Sequence, residues 1–140
     1  MDLKAAAQRY EEATAQFLEV VSQLSDSQLD ASSDGSWSAR QVIHHVADSE
    51  AQSYARLRRL IAEPGTQIQG YDEAGWGENE TLGYKDLPIA QSLEVFRASA
   101  LFYHVDIRNC NLAFFLFLDW VAVVLGISPE QMVIVQIHML

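Results

Sequence analysis

The sequence has little cysteine and little positive charge, and each shortage excludes a class of protein. Its single cysteine, Cys110, cannot form a disulfide within the chain, which excludes a small disulfide-stapled secreted domain. Nine Lys and Arg residues stand against 19 Asp and Glu residues, for a net charge of -10. Because such a chain repels phosphate backbones and anionic lipid surfaces, we expect neither nucleic acid nor a membrane as its partner.

Long hydrophobic runs are scarce as well. The longest, Leu112–Ile127, contains Asp119 and is shorter than the roughly 20 residues that a membrane-spanning helix needs. The N-terminal stretch MDLKAAAQRYEEATAQ has no apolar core of a secretion signal. We therefore expect a cytoplasmic protein, and 140 residues are enough for one domain, residues 1–140, with a hydrophobic core of its own.

Apolar residues recur at helical spacing in most of the chain. Alternating steps of four and three residues run through Leu3–Leu24 and again through Ile89–Cys110, after a start near Pro88. The run Leu112–Ile127 is apolar on every side, which is typical of a helix inside a bundle or in an interface between subunits. A last helix is predicted from Pro129. The pattern predicts an all-α protein, an up-and-down four-helix bundle.

The second helix has the strongest start signal. Ser38 as N-cap and Gln41 at the third helical position form a capping box. Trp37 and Val42 stand where a hydrophobic staple places its two apolar residues. We predict a helix from this cap to about Ala62, because proline and glycine follow.

The segment 63–87 separates the second and third helices and loses the helical spacing. It carries five glycines, two tyrosines and a tryptophan. Long loops within compact domains are usually functional, and aromatic residues argue against disorder. We expect this loop to pack across the bundle as a lid, with a short helical turn around Tyr71–Trp76.

Histidines are the main candidates for chemistry. On a helical wheel His44 points away from the buried stripe of the second helix, whereas His45 lies at its edge. Ser49, Gln52 and Arg56 continue the line of His45, and Arg56 is a candidate for holding an anionic group of a substrate. From the spacing alone, His45 is either a pocket residue or a partly exposed residue that hydrogen-bonds a neighbouring helix.

Two motifs resemble a known family. The stretch GSWSARQVIHHVADSEAQSYARLRRLIAE, from Gly35 to Glu63, is similar to the second-helix signature of the DinB-like superfamily. The stretch YDEAGWGENE, Tyr71–Glu80, resembles a loop of its YfiT-like branch, which contains metal-dependent hydrolases and is related to bacillithiol transferases. The resemblance covers about residues 1–100.

The resemblance implies a four-helix bundle, often a homodimer, that binds a divalent ion such as zinc or nickel through three histidines. One of them lies eight residues after the tryptophan of the second helix, which is His45 here. The other two form an HxxxH pair on the last helix. Laying SPEQMVIVQIHML on the start of that helix puts His138 at the first of the pair, and no second histidine follows.

Two classes of function follow from this resemblance. In the first, the protein is a metal-dependent hydrolase or thiol transferase that acts on a small molecule, with His45 and His138 as metal ligands. In the second, it is a catalytically inactive bundle that dimerises or binds a small ligand. A shortened or frame-shifted relative, a site completed by a partner chain or a carboxylate, and a bundle that kept only the fold are all compatible with the last forty residues.

Overall fold

The computed structural model of the protein describes residues 3–33 and 35–109. All regular elements in this part of the chain are helical, which confirms the prediction of an all-α fold. The helices are α1 (Leu3–Ser22), α2 (Asp26–Leu29), α3 (Ala39–Ala62), α4 (Glu73–Glu78) and α5 (Ala90–Asn109), with one 3-10 turn at Glu80–Leu82. The predicted helices at 112–127 and after Pro129 lie outside the described residues, as do Cys110 and His138.

The start of α3 forms as its capping signal predicts. The Gln41 backbone amide donates to the Ser38 hydroxyl at 3.3 Å, and the Ser38 backbone amide donates to the Gln41 side-chain oxygen at 3.1 Å. Trp37 packs against the core cluster that contains Val42, as a hydrophobic staple requires. The cap fixes where α3 begins and therefore which way His44 and His45 point.

The same capping signal occurs earlier in the chain, at Ser25. The Ser25 backbone amide donates to the Gln28 side-chain oxygen at 3.0 Å, and the short α2 begins there. Leu29 of α2 is buried in the common core. α2 therefore anchors the connection between α1 and α3.

A single hydrophobic core joins the three long helices. Phe17 of α1 and Phe96 of α5 pack with their ring centroids 4.9 Å apart. Ile43 of α3 is the most enclosed large side chain, with 1% of its surface exposed. The buried members of the cluster are Phe17, Val21, Leu29, Val42, Ile43, Val46, Ala47 and Phe96.

The helices pack in an order that the sequence did not reveal. α5 packs most extensively against α3 and next against α1, so the third long helix lies between the first two. α1 and α3 also meet through one polar contact, in which the Tyr10 hydroxyl donates to the Glu50 carboxyl at 2.6 Å. In the described part of the chain, no helix has the length and apolar character needed to cross a membrane.

Candidate functional site

His45 is half-buried on α3 and lies against Trp37, the residue before the Ser38 cap. Its ring meets the indole of Trp37 edge-on, with centroids 5.1 Å apart. The Nδ1 atom of His45 is buried and has no hydrogen-bond partner among the described residues. Burial lowers the pKa of His45, although the charges of Glu73 and Asp48 oppose the shift, so the imidazole is neutral near pH 7.

The loop 63–87, predicted to pack across the bundle as a lid, contacts α3 at Arg56 and Asp48. α4 contributes Trp76, whose ring packs 4.7 Å from that of Tyr71. The guanidinium of Arg56 lies 5.4 Å from the centroid of the Tyr71 ring and donates a hydrogen bond to the Gln69 carbonyl at 2.7 Å. We refer to Trp37, Tyr71 and Trp76 as the aromatic cover, because they enclose the face of α3 that carries His45.

Gly77 brings α4 close to Trp37. A Cβ atom built at Gly77 would lie 2.3 Å from Cζ2 of the indole, which is far inside van der Waals contact. The Gln41 side chain, already engaged in the cap of α3, also donates to the Gly77 carbonyl at 3.4 Å. Gly77, the second glycine of the GWG triplet, is therefore required for α4 to approach Trp37.

We predict that Gly77→Ala displaces Trp37 and lowers the free energy of unfolding by about 1–3 kcal/mol, since overpacked positions typically lose that much. Urea denaturation followed by tryptophan fluorescence measures both effects. Gly70→Ala is the matched control, because a Cβ atom there meets nothing within 4 Å. An equal response from the two variants would show that α4 does not rest on Trp37.

His44 is buried, although the helical wheel places it away from the buried stripe of α3. Only 5% of His44 is exposed, and its ring packs against Tyr84 with centroids 5.6 Å apart. Its Nε2 atom lies 3.1 Å from the Leu87 carbonyl and its Nδ1 atom 2.7 Å from the Ser92 hydroxyl. Because a carbonyl oxygen only accepts, Nε2 donates to it and Nδ1 accepts from Ser92. The helical wheel identifies only the apolar stripe of α3. The face of α3 opposite this stripe is buried by the lid and by the start of α5.

Asp48 and Tyr84 form a second anchor for the lid that the sequence did not indicate. The Tyr84 hydroxyl, in the lid, donates to the Asp48 carboxylate on α3. Burial raises the pKa of Tyr84, and the hydrogen bond to Asp48 raises it further, so the hydroxyl stays protonated as a donor. With His44, this pair holds the segment after the 3-10 turn on α3.

The arginines that follow on α3 are engaged within the chain. The Arg59 guanidinium lies 3.4 Å from the Glu63 carboxylate in an exposed ion pair. Arg58 lies over the Tyr54 ring at 5.9 Å from its centroid. Arg56 supports Tyr71 and the lid backbone.

The site and the fold together identify the class of protein. The family model of the DinB superfamily matches residues 9–109, and the chain belongs to this family. The solved structure of YfiT from Bacillus subtilis has the same fold, with a TM-score of 0.69 and 32% sequence identity over 79% of this chain and 62% of that one. It is described as a candidate metal-dependent hydrolase with an unusual four-helix bundle topology, and the four-helix bundle predicted from the sequence is thereby confirmed.

Curated relatives carry the same description. YfiT of Bacillus subtilis (strain 168), named as a candidate metal-dependent hydrolase, is 44% identical over 69 residues, which are 49% of this chain and 39% of the relative. A relative from Bacillus pumilus with the same description is 39% identical over 92 residues, 65% of this chain and 51% of the relative. The chain thus spans about half the length, or less, of these relatives.

Proposed function

We propose that this chain carries the histidine-bearing part of a metal-dependent enzyme, a hydrolase or a thiol transferase acting on a small molecule, with His45 as a metal ligand. The buried, unpartnered Nδ1 of a neutral imidazole beneath the aromatic cover carries the proposal. Metal binding requires a neutral imidazole, and a buried ring nitrogen without a partner is the group that a bound ion would satisfy. The descriptions of the relatives support the same chemistry.

The remaining ligands must come from elsewhere. Among residues 3–33 and 35–109, no group of three or more His, Cys, Asp and Glu side chains is arranged to hold a metal. We propose His138 as the second ligand and zinc or nickel as the ion. With an open coordination position, such an ion supplies a water or thiol nucleophile at neutral pH. The described residues would hold His45 neutral, exclude bulk water and enclose the substrate.

Metal content tests this proposal directly. The purified protein is loaded with zinc or nickel, desalted, and analysed for bound metal by mass spectrometry. We expect close to one ion per chain in the wild type and at least about a tenfold loss of affinity in His45→Ala, because each ligand of such a site contributes strongly. Hydrolysis of 4-nitrophenyl acetate, with and without a chelator, then tests whether the bound ion is catalytic.

The controls separate a lost ligand from a lost fold. His104→Ala removes a histidine outside the expected ligand set and should retain the metal. His138→Ala should weaken binding as His45→Ala does, and a His138→Ala protein with unchanged affinity would remove that residue from the site. A folded wild type that retains no stoichiometric metal would exclude the enzyme and leave the inactive bundle of the sequence analysis.

A homodimer is the proposed assembly. The apolar stretch 112–127 supports it, since such a run is typical of an interface or of a bundle interior. Light scattering of the purified protein should give a mass of two chains. A mass of one chain, constant over a hundredfold range of concentration, would exclude the dimer.

A further inference from the structure

Two buried side-chain polar atoms lack a hydrogen-bond partner among the described residues. They are Nδ1 of His45 and the hydroxyl of Tyr71. A buried hydroxyl without a partner is destabilising, and native proteins keep few such groups without a functional reason. The function proposed above uses His45 and leaves the Tyr71 hydroxyl unexplained.

The contacts of Tyr71 place its hydroxyl on the polar line of α3 that begins at His45. The ring lies against Arg56. The Ser49 hydroxyl is near enough to lower the pKa of Tyr71, but it does not meet hydrogen-bond geometry with the Tyr71 hydroxyl. His45, Ser49 and Arg56 follow one line along α3, and residues four apart on a helix are neighbours. The negative charges of Asp48 and Glu73 raise the pKa of both Tyr71 and His45. Tyr71 therefore lies across the same line that His45 begins.

The ring of Tyr71 is held from two sides, which fixes where its hydroxyl points. Trp76 packs on it at 4.7 Å, and the Arg56 guanidinium, itself bonded to the Gln69 carbonyl, lies at 5.4 Å. Burial raises the pKa of Tyr71, so its hydroxyl carries a proton at neutral pH. A donor whose position is fixed by its neighbours is suited to orienting a bound group.

We propose that Tyr71 is a positioning residue of the site: its hydroxyl donates a hydrogen bond to the anionic atom, oxygen, nitrogen or sulfur, of a ligand that binds at the His45 metal. This proposal rests on the metal site proposed above. The lid brings this donor to the face of α3 that carries His45, so the segment 63–87 takes part in recognising the ligand as well as excluding water.

Cobalt and azide provide the test, because cobalt replaces zinc and reports on its ligands by visible absorption. Azide is titrated into the cobalt-loaded wild type, Tyr71→Phe and Tyr54→Phe. We expect unchanged cobalt affinity in all three and azide binding about tenfold weaker in Tyr71→Phe alone, the order expected for one hydrogen bond to a charged acceptor. Tyr54→Phe is the matched control, since Tyr54 lies on α3 and packs against Phe102 and Arg58.

Each outcome discriminates. Equal azide affinity in wild type and Tyr71→Phe, with cobalt bound, overturns the role of Tyr71 and leaves the metal site standing. A wild type that binds no cobalt overturns both proposals. Urea unfolding of the metal-free proteins gives a separate check: an unpartnered hydroxyl predicts that the midpoint of Tyr71→Phe equals or exceeds that of the wild type, and a lower midpoint would show that the hydroxyl serves the fold instead.

Discussion

Replacing Tyr84 with alanine should lower the free energy of unfolding by about 3–5 kcal/mol, the range for removing a large aromatic side chain from a core. Only 3% of Tyr84 is exposed, and its ring packs on His44 while its hydroxyl donates to Asp48. The substitution removes the packing and leaves a carboxylate without its donor. Urea denaturation measures the loss, and trypsin cleavage after Lys85 reports the release of the lid.

Tyr84→Phe separates the two contributions. It keeps the ring and removes only the hydrogen bond to a charged acceptor, for an expected loss of about 1.5–3 kcal/mol. A Tyr84→Phe protein as unstable as Tyr84→Ala would show that the ring contributes nothing. A Tyr84→Ala protein with wild-type stability and no new tryptic site would show that Tyr84 does not hold the lid on α3.

The second large effect is expected at Glu50 and depends on pH. Burial raises the pKa of Glu50 to about 7, and the hydrogen bond from Tyr10 only partly opposes the shift. Because the folded-state pKa is raised, the stabilisation from the neutral carboxyl is present at low pH and is lost as the pH rises from about 4.5 through about 7. The protein should therefore be less stable at pH 8 than at pH 5 on account of this group.

Glu50→Gln removes that dependence. Between pH 5 and pH 8 the free energy of unfolding of Glu50→Gln, relative to that of the wild type, should increase by about 1–2.5 kcal/mol. We expect a value in the lower part of this range because the Glu50 side chain keeps some contact with solvent. Urea titrations at several pH values measure the difference. Glu12→Gln, at an exposed glutamate of α1, is the control and should run parallel to wild type. Parallel behaviour of Glu50→Gln as well would exclude an ionisation at the α1–α3 contact.

The sequence predicted the helix starts and ends that depend on residues close together in the chain. The cap at Ser38 and the end of α3 near Pro64 depend on groups within one or two turns, and both lie where they were expected. The helical turn predicted at Tyr71–Trp76 is α4, shifted to Glu73–Glu78 by the Asp72 cap, whose carboxylate accepts from the Gly75 amide at 3.0 Å. The missed α2 depends on the same kind of signal, so it could have been found.

The parts of the site that were not predicted depend on contacts between distant segments. His44 forms hydrogen bonds with Ser92 and the Leu87 carbonyl, and the Asp48 carboxylate accepts one from the Tyr84 hydroxyl. Nothing in the local sequence pattern of either segment indicates these pairs. For Tyr71 the signals were the aromatic content of a long loop and the motif YDEAGWGENE, and neither indicates where its hydroxyl lies. The helical wheel predicts His45 at the edge of the buried stripe, and the residue is half-buried. The staple pattern indicates that Trp37 packs near Val42 but does not indicate its contact with His45.

The position of α5 between α1 and α3 has a consequence for how the chain folds. α3, the lid and α5 are consecutive, so their contacts close modest loops and can form early. The pairing of Phe17 with Phe96 joins the two ends of the described chain, and its loop-closure entropy must be overcome before that contact stabilises anything. The contacts of His44 and His45 can therefore form while α1 is still undocked, and mutations on the inner face of α1 should speed unfolding far more than they slow folding.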